Sequence, residues 1–487
     1  MSSAAVPVGA ILDVIGDAAL DVVGDLADVA VGHVTHNSQD VPASSMFACL
    51  PGATADGHDF AGAAVAAGAA VLLVDHPLDP AVVGATPQIV VADTRAQLGP
   101  IAAVVSGNPS RQMTTVGLTG TNGKTTTSLM LAAIFEAHGW STGVIGTLSG
   151  PRTTPEAPEL QRALAGFVDA GCQAAVLEVS SHALALRRVD GTEFDAVVFT
   201  NLGHDHLDLH GTPEEYFRAK AALFAPRFAP LGVVNVDDTH GRLLADAAAQ
   251  PGEFRVVGFS IDELDELAVG ATTIRYRWRD HQVDVNVGGT FNVSNSLAAL
   301  VVATELGIGL DVAADALRSL PTIPGRFETV ASPSDESAPF TVVVDYAHTP
   351  DGLDEVISSA RAVAEPGAAV VIVFGCGGDR DHAKRPEMGA AAASAADRVV
   401  ITSDNPRTED PPAIIAGILD GVSNELRPRV TSNPDRREAI REALESARPG
   451  DVVVIAGKGH EQTQDLGDRT IDFDDRVVAR TLLEELS

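Results

Sequence analysis

Residues Thr114 to Thr127 read TTVGLTGTNGKTTT. A β-branched run ends at Leu118, a loop holding Gly120 and Gly123 follows, and Lys124-Thr125 open a helix. Glycines let a loop curl so that successive backbone N–H groups face phosphate oxygens. The lysine adds a point charge, and the threonine hydroxyl can ligate Mg²⁺. Strict GxxxxGK[ST] spacing asks for glycine at Leu118, so the match is close rather than literal. A nucleotide phosphate site on an α/β sheet is the reading this stretch supports.

Outward from it, short β-branched runs alternate with Ala-rich helical stretches. Strands are expected at Ala70–Val74, Thr114–Leu118, Ala174–Val179, Ala196–Thr200, Gly232–Val236, Thr341–Asp345, Ala369–Phe374, Arg398–Thr402 and Asp451–Ala456. Unbroken apolar runs such as VVIVF and VVVIA suit strands covered on both faces, as parallel sheets are. Alternation with helices predicts α/β layers. The polar, turn-rich SGNPSRQ near residue 106 and the acidic ASPSDESAP near residue 330 each precede a strand and read as boundaries. Three segments follow: 1–105, a small α/β unit; 106–328, a central P-loop unit with a mostly parallel sheet; and 329–487, a Rossmann-like unit.

Composition narrows the partners. The 487 residues carry 33 Lys plus Arg against 66 Asp plus Glu, a formal charge of −33, with 45% apolar and 20% charged residues. Such a chain is globular, and its bulk field repels nucleic acid and anionic membranes. The most apolar segment, Ala61 to Val74, is too short for the roughly 20 residues of a membrane span. Cys49, Cys172 and Cys376 lie far apart without metal or disulfide spacing, which predicts a reduced, cytoplasmic setting. A monomer is expected. The first segment holds one Arg or Lys, Arg95, against eleven aspartates. An anion bound there must lean on backbone N–H groups.

Further motifs follow strands, at the ends where α/β sheets bind ligands. EVSSHAL places Glu178, a hard oxygen ligand suited to Mg²⁺. FTNLGHDHLDLHGT supplies His204, His206 and His210; these and His182 are as readily hydrogen-bonded structural histidines as ligands. EEYFRAKAALF sets Lys220 among apolar neighbours, where snorkelling is the ordinary explanation. GTFNVSNSLAA puts Asn292 and Asn295 at a helix start, suited either to reading a purine edge or to capping. PTIPGRFE brings Arg326, and VVVDYAHTPDG brings Asp345 and His348. GCGGDRDHAKRP, SDNPRTEDP and AGKGHEQ carry Arg380, Lys384, Asn405, Arg407, Lys458 and Glu461. Arginines with an acid at consecutive strand ends suit a zwitterion, Arg for its carboxylates and Glu for its ammonium.

Taken in order, TGTNGKTT, EVSSHAL, TNLxxDHLDxHG, YxxAK, GxFNVSN, PGRxE, DYAHTPD, GCGGDRDxxKRP, DNPR and GKGHE make the chain resemble the Mur ligase family. Within it the likeness is to the branch that adds diaminopimelate to a UDP-MurNAc-dipeptide. The resemblance implies a UDP-sugar domain, a central ATPase domain and a C-terminal domain that closes over the site. It implies an ATP-dependent acid–amino-acid ligase of peptidoglycan precursor synthesis. Its substrates would be UDP-MurNAc-L-Ala-D-Glu, meso-diaminopimelate and ATP, with two Mg²⁺ ions.

By the same resemblance Gly120, Thr121, Asn122, Gly123, Lys124, Thr125 and Thr126 cradle the ATP phosphates, and Asn292, Arg326, Asp345 and His348 contact the rest of the nucleotide. Thr125, Glu178, His206 and Lys220 hold metal, Lys220 as a carbamate. Lys124, Glu178, His206 and Lys220 form the catalytic set. Ser38, Thr153, Thr154, Ser180 and Arg188 meet the UDP-MurNAc-dipeptide. Arg380, Asp404, Asn405, Pro406, Arg407, Gly457 and Glu461 form the amino-acid pocket, where Arg407 suits the distal carboxylate of meso-diaminopimelate. The chain departs from the family at Asn37-Ser38-Gln39, where DSR is usual, at Leu186, where glutamine is usual, and in the short loop from Gly146 to Thr153. Alternatives are the same reaction with L-lysine or LL-diaminopimelate, a folylpolyglutamate synthase, or a P-loop regulatory protein that binds ATP without ligating.

Overall fold

The structure is a computed structural model and describes residues 5–52, 55–203, 205, 207–248, 254–331 and 338–486. All nine strands expected from apolar runs are present, with ends shifted by at most one residue. Their side chains are buried almost throughout, as runs without polar alternation require.

The phosphate-loop strand, Thr114–Thr119, lies inside a six-stranded sheet. From edge to edge the strands are Arg255–Phe259, Leu231–Asn235, Ala196–Phe199, Thr114–Thr119, Ala174–Glu178 and Thr142–Ile145, every pairing parallel. Strand order reverses around Thr114–Thr119, so its C-terminal end opens on the crevice where such sheets take ligands. The helix Lys124–Ala137 begins there and packs against Phe291–Glu305 over the largest apolar core.

A second six-stranded sheet carries the C-terminal motifs. Thr341–Asp345, Val452–Ala456, Val370–Phe374, Arg398–Ile401 and Val430–Ser432 run parallel in that order. Glu328–Ala331 adds an antiparallel edge, so the sheet starts one residue before the expected division at 328/329. Most of the expected linker at 331–339 lies outside the described residues.

The first segment forms a five-stranded sheet in the order Ala19–Val23, Gln88–Val91, Ala69–Val74, Ser45–Ala48 and His33–Thr35. A three-stranded antiparallel sheet, Asp265–Val269, Ile274–Trp278 and His281–Val285, covers one side of the central core. Among the described residues no helix is long and apolar enough to cross a membrane.

Candidate active site

The turn after Thr119 needs backbone without side chains. Gly123 has φ +85°, and a Cβ there would lie 2.3 Å from Asn295 Oδ1. Asn122 N–H donates to Asn201 Oδ1 at 2.9 Å and Thr121 N–H to the Asn201 carbonyl at 2.9 Å, fixing the loop against the next strand's end. Lys124 Nζ donates to the carbonyls of Gly120 and Thr121, both at 2.8 Å. Burial holds its amine below the ordinary lysine range, against the opposing pull of Glu178 and Asp205.

The loop opens on a cavity of about 230 Å³. Of the residues expected to bind nucleotide or metal, Thr121, Asn122, Gly123, Lys124, Thr125, Thr126, Glu178, Arg326, Asp345 and His348 line it, as do Thr153 and Ser180. Glu178 is buried with its oxygens facing donors. Thr125 Oγ1 lies 3.1 Å from Oε2, Thr147 Oγ1 3.0 Å from Oε2, and Thr147 N–H 3.0 Å from Oε1. A buried carboxylate beside a P-loop hydroxyl is a hard oxygen set, which fits Mg²⁺. His206 falls outside the described residues, as does His204.

Lys220 occupies the other side of the loop. It is buried on the helix Pro213–Ala221, donates to the Gly120 carbonyl at 2.7 Å and lies 4.5 Å over the Tyr216 ring. Burial, reinforced by the nearby Lys124 ammonium, holds its amine well below the ordinary lysine range. It does not snorkel.

Arg326 donates to Thr125 Oγ1 at 3.2 Å and lies 4.4 Å over Tyr346, leaving its buried Nε without a protein partner. Asp345 accepts from Phe327 N–H at 2.7 Å and Ala347 N–H at 2.8 Å. Asn292 is placed differently from the rest. Fully buried, it donates to Gly288 O at 2.7 Å and accepts from Asn295 Nδ2 at 2.8 Å, so Asn295 and not Asn292 lines the cavity.

Glu355, unmarked in the sequence, also faces the cavity and accepts from Asn122 Nδ2 at 3.2 Å. Burial first, then Asp351, push its carboxyl from 4.5 up to about 7. The folded chain therefore keeps this proton to higher pH than the unfolded chain, so the group's contribution to stability declines as pH rises from about 4.5 through about 7. Glu355→Gln is expected to flatten that stretch of a thermal midpoint-against-pH curve. An unchanged slope would refute it.

Of the dipeptide set, Thr154 donates to the Glu178 carbonyl at 2.8 Å, and Ser180 caps its helix by accepting from Ala183 N–H at 3.2 Å. Arg188 donates to Thr154 O at 3.1 Å and pairs with Glu156 at 2.6 Å. Ser38 lines a separate cavity of about 390 Å³ with Arg95 and Arg152.

The acceptor set gathers at the second sheet. Arg407 donates to Gly378 O at 2.7 Å, and a Cβ on Gly377 would lie 3.0 Å from Arg407 Nη1 and 3.7 Å from Arg380 Cγ. Asn405 Nδ2 donates to Glu461 Oε2 at 2.8 Å, while buried Lys458 donates to Asn405 Oδ1, Glu461 Oε2 and Thr463 O. A Cβ on Gly457 would stand 2.6 Å from Asp404 Oδ2, and Pro406 is buried between. This cluster abuts the phosphate cavity, since His460 packs on Tyr346 with centroids 5.0 Å apart. Beneath it lies a pair the sequence reading missed, Arg436 and Asp475. Burial holds the Cys376 thiol up at about 12, and Cys49 likewise, so neither is a nucleophile at neutral pH.

Comparison with known proteins agrees with this layout. Residues 30–105 match the model of the Mur ligase family catalytic domain, 118–303 the Mur ligase middle domain, and 325–459 the Mur ligase glutamate ligase domain. A Streptomyces coelicolor UDP-N-acetylmuramoyl-L-alanyl-D-glutamate–2,6-diaminopimelate ligase is 41% identical over 99% of this chain and 97% of its own. The like-named Geobacillus kaustophilus protein is 43% identical over 92% and 94%. A solved structure of a ligase of that name superposes with TM-score 0.68 at 32% identity, covering 99% of both chains. A Thermotoga maritima MurF ligase in complex with ADP shares the fold at TM-score 0.63 and 20% identity.

Proposed function

Because the chain belongs to the Mur ligase family, we propose that it joins meso-diaminopimelate to the D-glutamate γ-carboxylate of UDP-MurNAc-L-Ala-D-Glu, with ATP and Mg²⁺, in peptidoglycan precursor synthesis. The observation that carries this reading is the meeting of phosphate loop, Glu178 and Arg326 at one cavity, with Lys220 bonded to the loop's Gly120 carbonyl and the Arg380–Arg407–Glu461 cluster at the cavity's border. The γ-carboxylate attacks the γ-phosphoryl of ATP, and ADP leaves. The amine of diaminopimelate then attacks the acyl phosphate, and orthophosphate leaves.

Lys124 and the loop N–H groups offset charge at the transferring phosphoryl, where such catalysis chiefly resides. Thr125 would hold one Mg²⁺ and Glu178, His206 and a carbamate on Lys220 a second, and the ions would supply Lewis acidity to the phosphoryl oxygens. Arg326 reaches the phosphate side from the end of the central segment. Closure of the C-terminal segment excludes water from the acyl phosphate. Arg407 and Arg380 take the acceptor's carboxylates and Glu461 its ammonium, a preference that L-lysine, lacking the distal carboxylate, does not satisfy. We divide the chain into units of 1–105, 106–328 and 329–487, acting as a cytoplasmic monomer.

The test is orthophosphate release from ATP with each substrate omitted in turn. Release is expected only with UDP-dipeptide and diaminopimelate together, fastest with the meso isomer and slower with LL-diaminopimelate or L-lysine. Release indifferent to both substrates would leave a P-loop ATPase and sink the ligase reading.

A further inference from the structure

Aspartates outnumber Arg and Lys eleven to one in the first segment, so the ligand its own side chains suit is a cation. Two turns there bring such side chains together. Strand Ala69–Val74 runs straight into Asp75-His76, and the turn Gly57–Phe60 carries His58. Asp75 Oδ1 lies 3.3 Å from His58 Nε2 and 2.5 Å from His76 Nδ1, and the two imidazoles stack with centroids 4.6 Å apart. Among the described residues this is the one trio of histidine, cysteine or carboxylate side chains whose ligand atoms all lie within 4.8 Å of one another.

The trio is held from behind. Asp56 Oδ1 accepts from the His58 backbone N–H at 3.0 Å and from ring Nδ1 at 2.6 Å, which leaves Nε2 as the lone-pair nitrogen of the neutral ring. A carboxylate on the far nitrogen is the usual partner of a metal-bound imidazole, because it fixes the tautomer and raises the basicity of the ligating nitrogen. Gly57 N–H donates to Leu50 O at 2.9 Å, and a Cβ on Gly57 would lie 2.5 Å from Leu50 N. The turn is therefore clamped to the chain leaving the neighbouring strand Ser45–Ala48. His58 is buried, Asp75 half-buried and His76 exposed, so one ligand is anchored and one side stays open.

Hydrogen bonds do not close this arrangement. The Nε2 lone pair receives only the Asp75 backbone N–H, at 3.4 Å, and otherwise faces the Asp75 carboxylate, one acceptor towards another. A proton joins one such pair, whereas a divalent cation accepts all three atoms at once. Two imidazoles and a carboxylate are a donor set that Zn²⁺ and neighbouring transition ions favour, while Mg²⁺ and Ca²⁺ favour oxygen.

We propose that His58, Asp75 and His76 form a site for a Zn²⁺-class divalent cation, with a coordination position left open to solvent. The ion ties the Gly57–Phe60 turn to the exit of strand Ala69–Val74. The site shares no lining residue with the phosphate cavity and does not rest on the ligase reading.

The test is titration of the metal-stripped full chain with Co²⁺ and Zn²⁺ in excess Mg²⁺, read by the visible absorption of Co²⁺ and by the thermal midpoint. Excess Mg²⁺ competes for the oxygen-rich surroundings of Glu178 and leaves nitrogen ligands free. Wild type is expected to bind one equivalent of Co²⁺ with the spectrum of a low-coordinate ion. It should also melt higher with Zn²⁺, as linkage requires of an ion that binds the folded chain. His76→Ala, an exposed change, should weaken Co²⁺ binding about 100-fold or more, and Asp56→Asn, which keeps all three ligands but loosens His58, about 10–100-fold. Undiminished binding in His76→Ala, or a midpoint that Zn²⁺ raises equally in wild type and variant, puts the ion elsewhere and overturns the site. Wild type that binds no Co²⁺ at micromolar concentrations overturns it as well. None of these readouts depends on turnover, so failure here leaves the ligase reading untouched.

Discussion

Lys220→Ala is expected to lower kcat by about 10²–10³-fold, the usual scale for removing a group that stabilises charge at a transferring centre. The argument starts from an unfavourable arrangement. Lys220 and Lys124 both donate to the Gly120 carbonyl, at 2.7 and 2.8 Å, in a buried setting. Two ammonium ions there repel one another at low dielectric, and burial already favours neutral Lys220. On the proposed reading a neutral amine would attack CO₂: an N–C bond would form, one proton would leave to solvent, and a carbamate anion would result. The modified nitrogen would keep one N–H, enough for the Gly120 carbonyl. Cation–cation repulsion would become attraction, and the carbamate would offer Mg²⁺ a hard oxygen.

Three measurements separate this from a packing role. Formate or acetate should restore part of the activity of Lys220→Ala by replacing the lost anion. Lys220→Arg, which keeps charge and bulk but cannot carry the carbamate, should be as impaired as alanine. Wild-type protein equilibrated with ¹³C-bicarbonate should show a carbamyl carbon signal that both variants lack. Full activity of Lys220→Ala without added carboxylate would discard the assignment.

Much of this site was legible because its chemistry is written in contiguous motifs. TGTNGKTT, EVSSHAL and GKGHE each sit on a single strand-to-loop turn, and continuous apolar runs mark the buried parallel strands before them. Hidden from that approach was whatever the fold assembles from distant, ordinary-looking residues. Ile274–Trp278 and His281–Val285 alternate polar and apolar residues, IRYRW and HQVDV, because one face is solvated, so they do not stand out as apolar runs. Asn292 and Asn295 share a motif, yet helical geometry turns one into the core and the other towards the loop. Glu156 and Arg152 read as surface charge until the fold brings Arg95 beside them. Arg436 lies in PDRREAIRE and looks like a solvated helix start, although it is completely enclosed.

That enclosed arginine carries the second large prediction: Asp475→Ala is expected to destabilise the C-terminal segment by about 3–5 kcal/mol, because it strands a buried charge. Arg436 and Asp475 are both inaccessible and meet through Nε–Oδ1 at 2.8 Å and Nη2–Oδ2 at 2.7 Å. The remaining donors of Arg436 reach Ser403 O at 3.1 Å and Ala456 O at 2.9 Å. Those carbonyls follow Arg398–Ile401 and end Val452–Ala456, the strands from which Asp404–Arg407 and Gly457–Glu461 depart. One guanidinium therefore ties together the roots of both loops proposed to hold the acceptor. On that reading it would act as a positioning residue, not a catalytic one. Replacing the pair together, Arg436→Met with Asp475→Leu, removes the stranded charge and should recover most of the stability. It also removes the tie, so KM for diaminopimelate should remain raised while KM for ATP stays near wild type. Urea midpoints and the two KM values, read on single and double variants, decide it. A double variant with normal stability and normal acceptor KM would reduce the pair to packing.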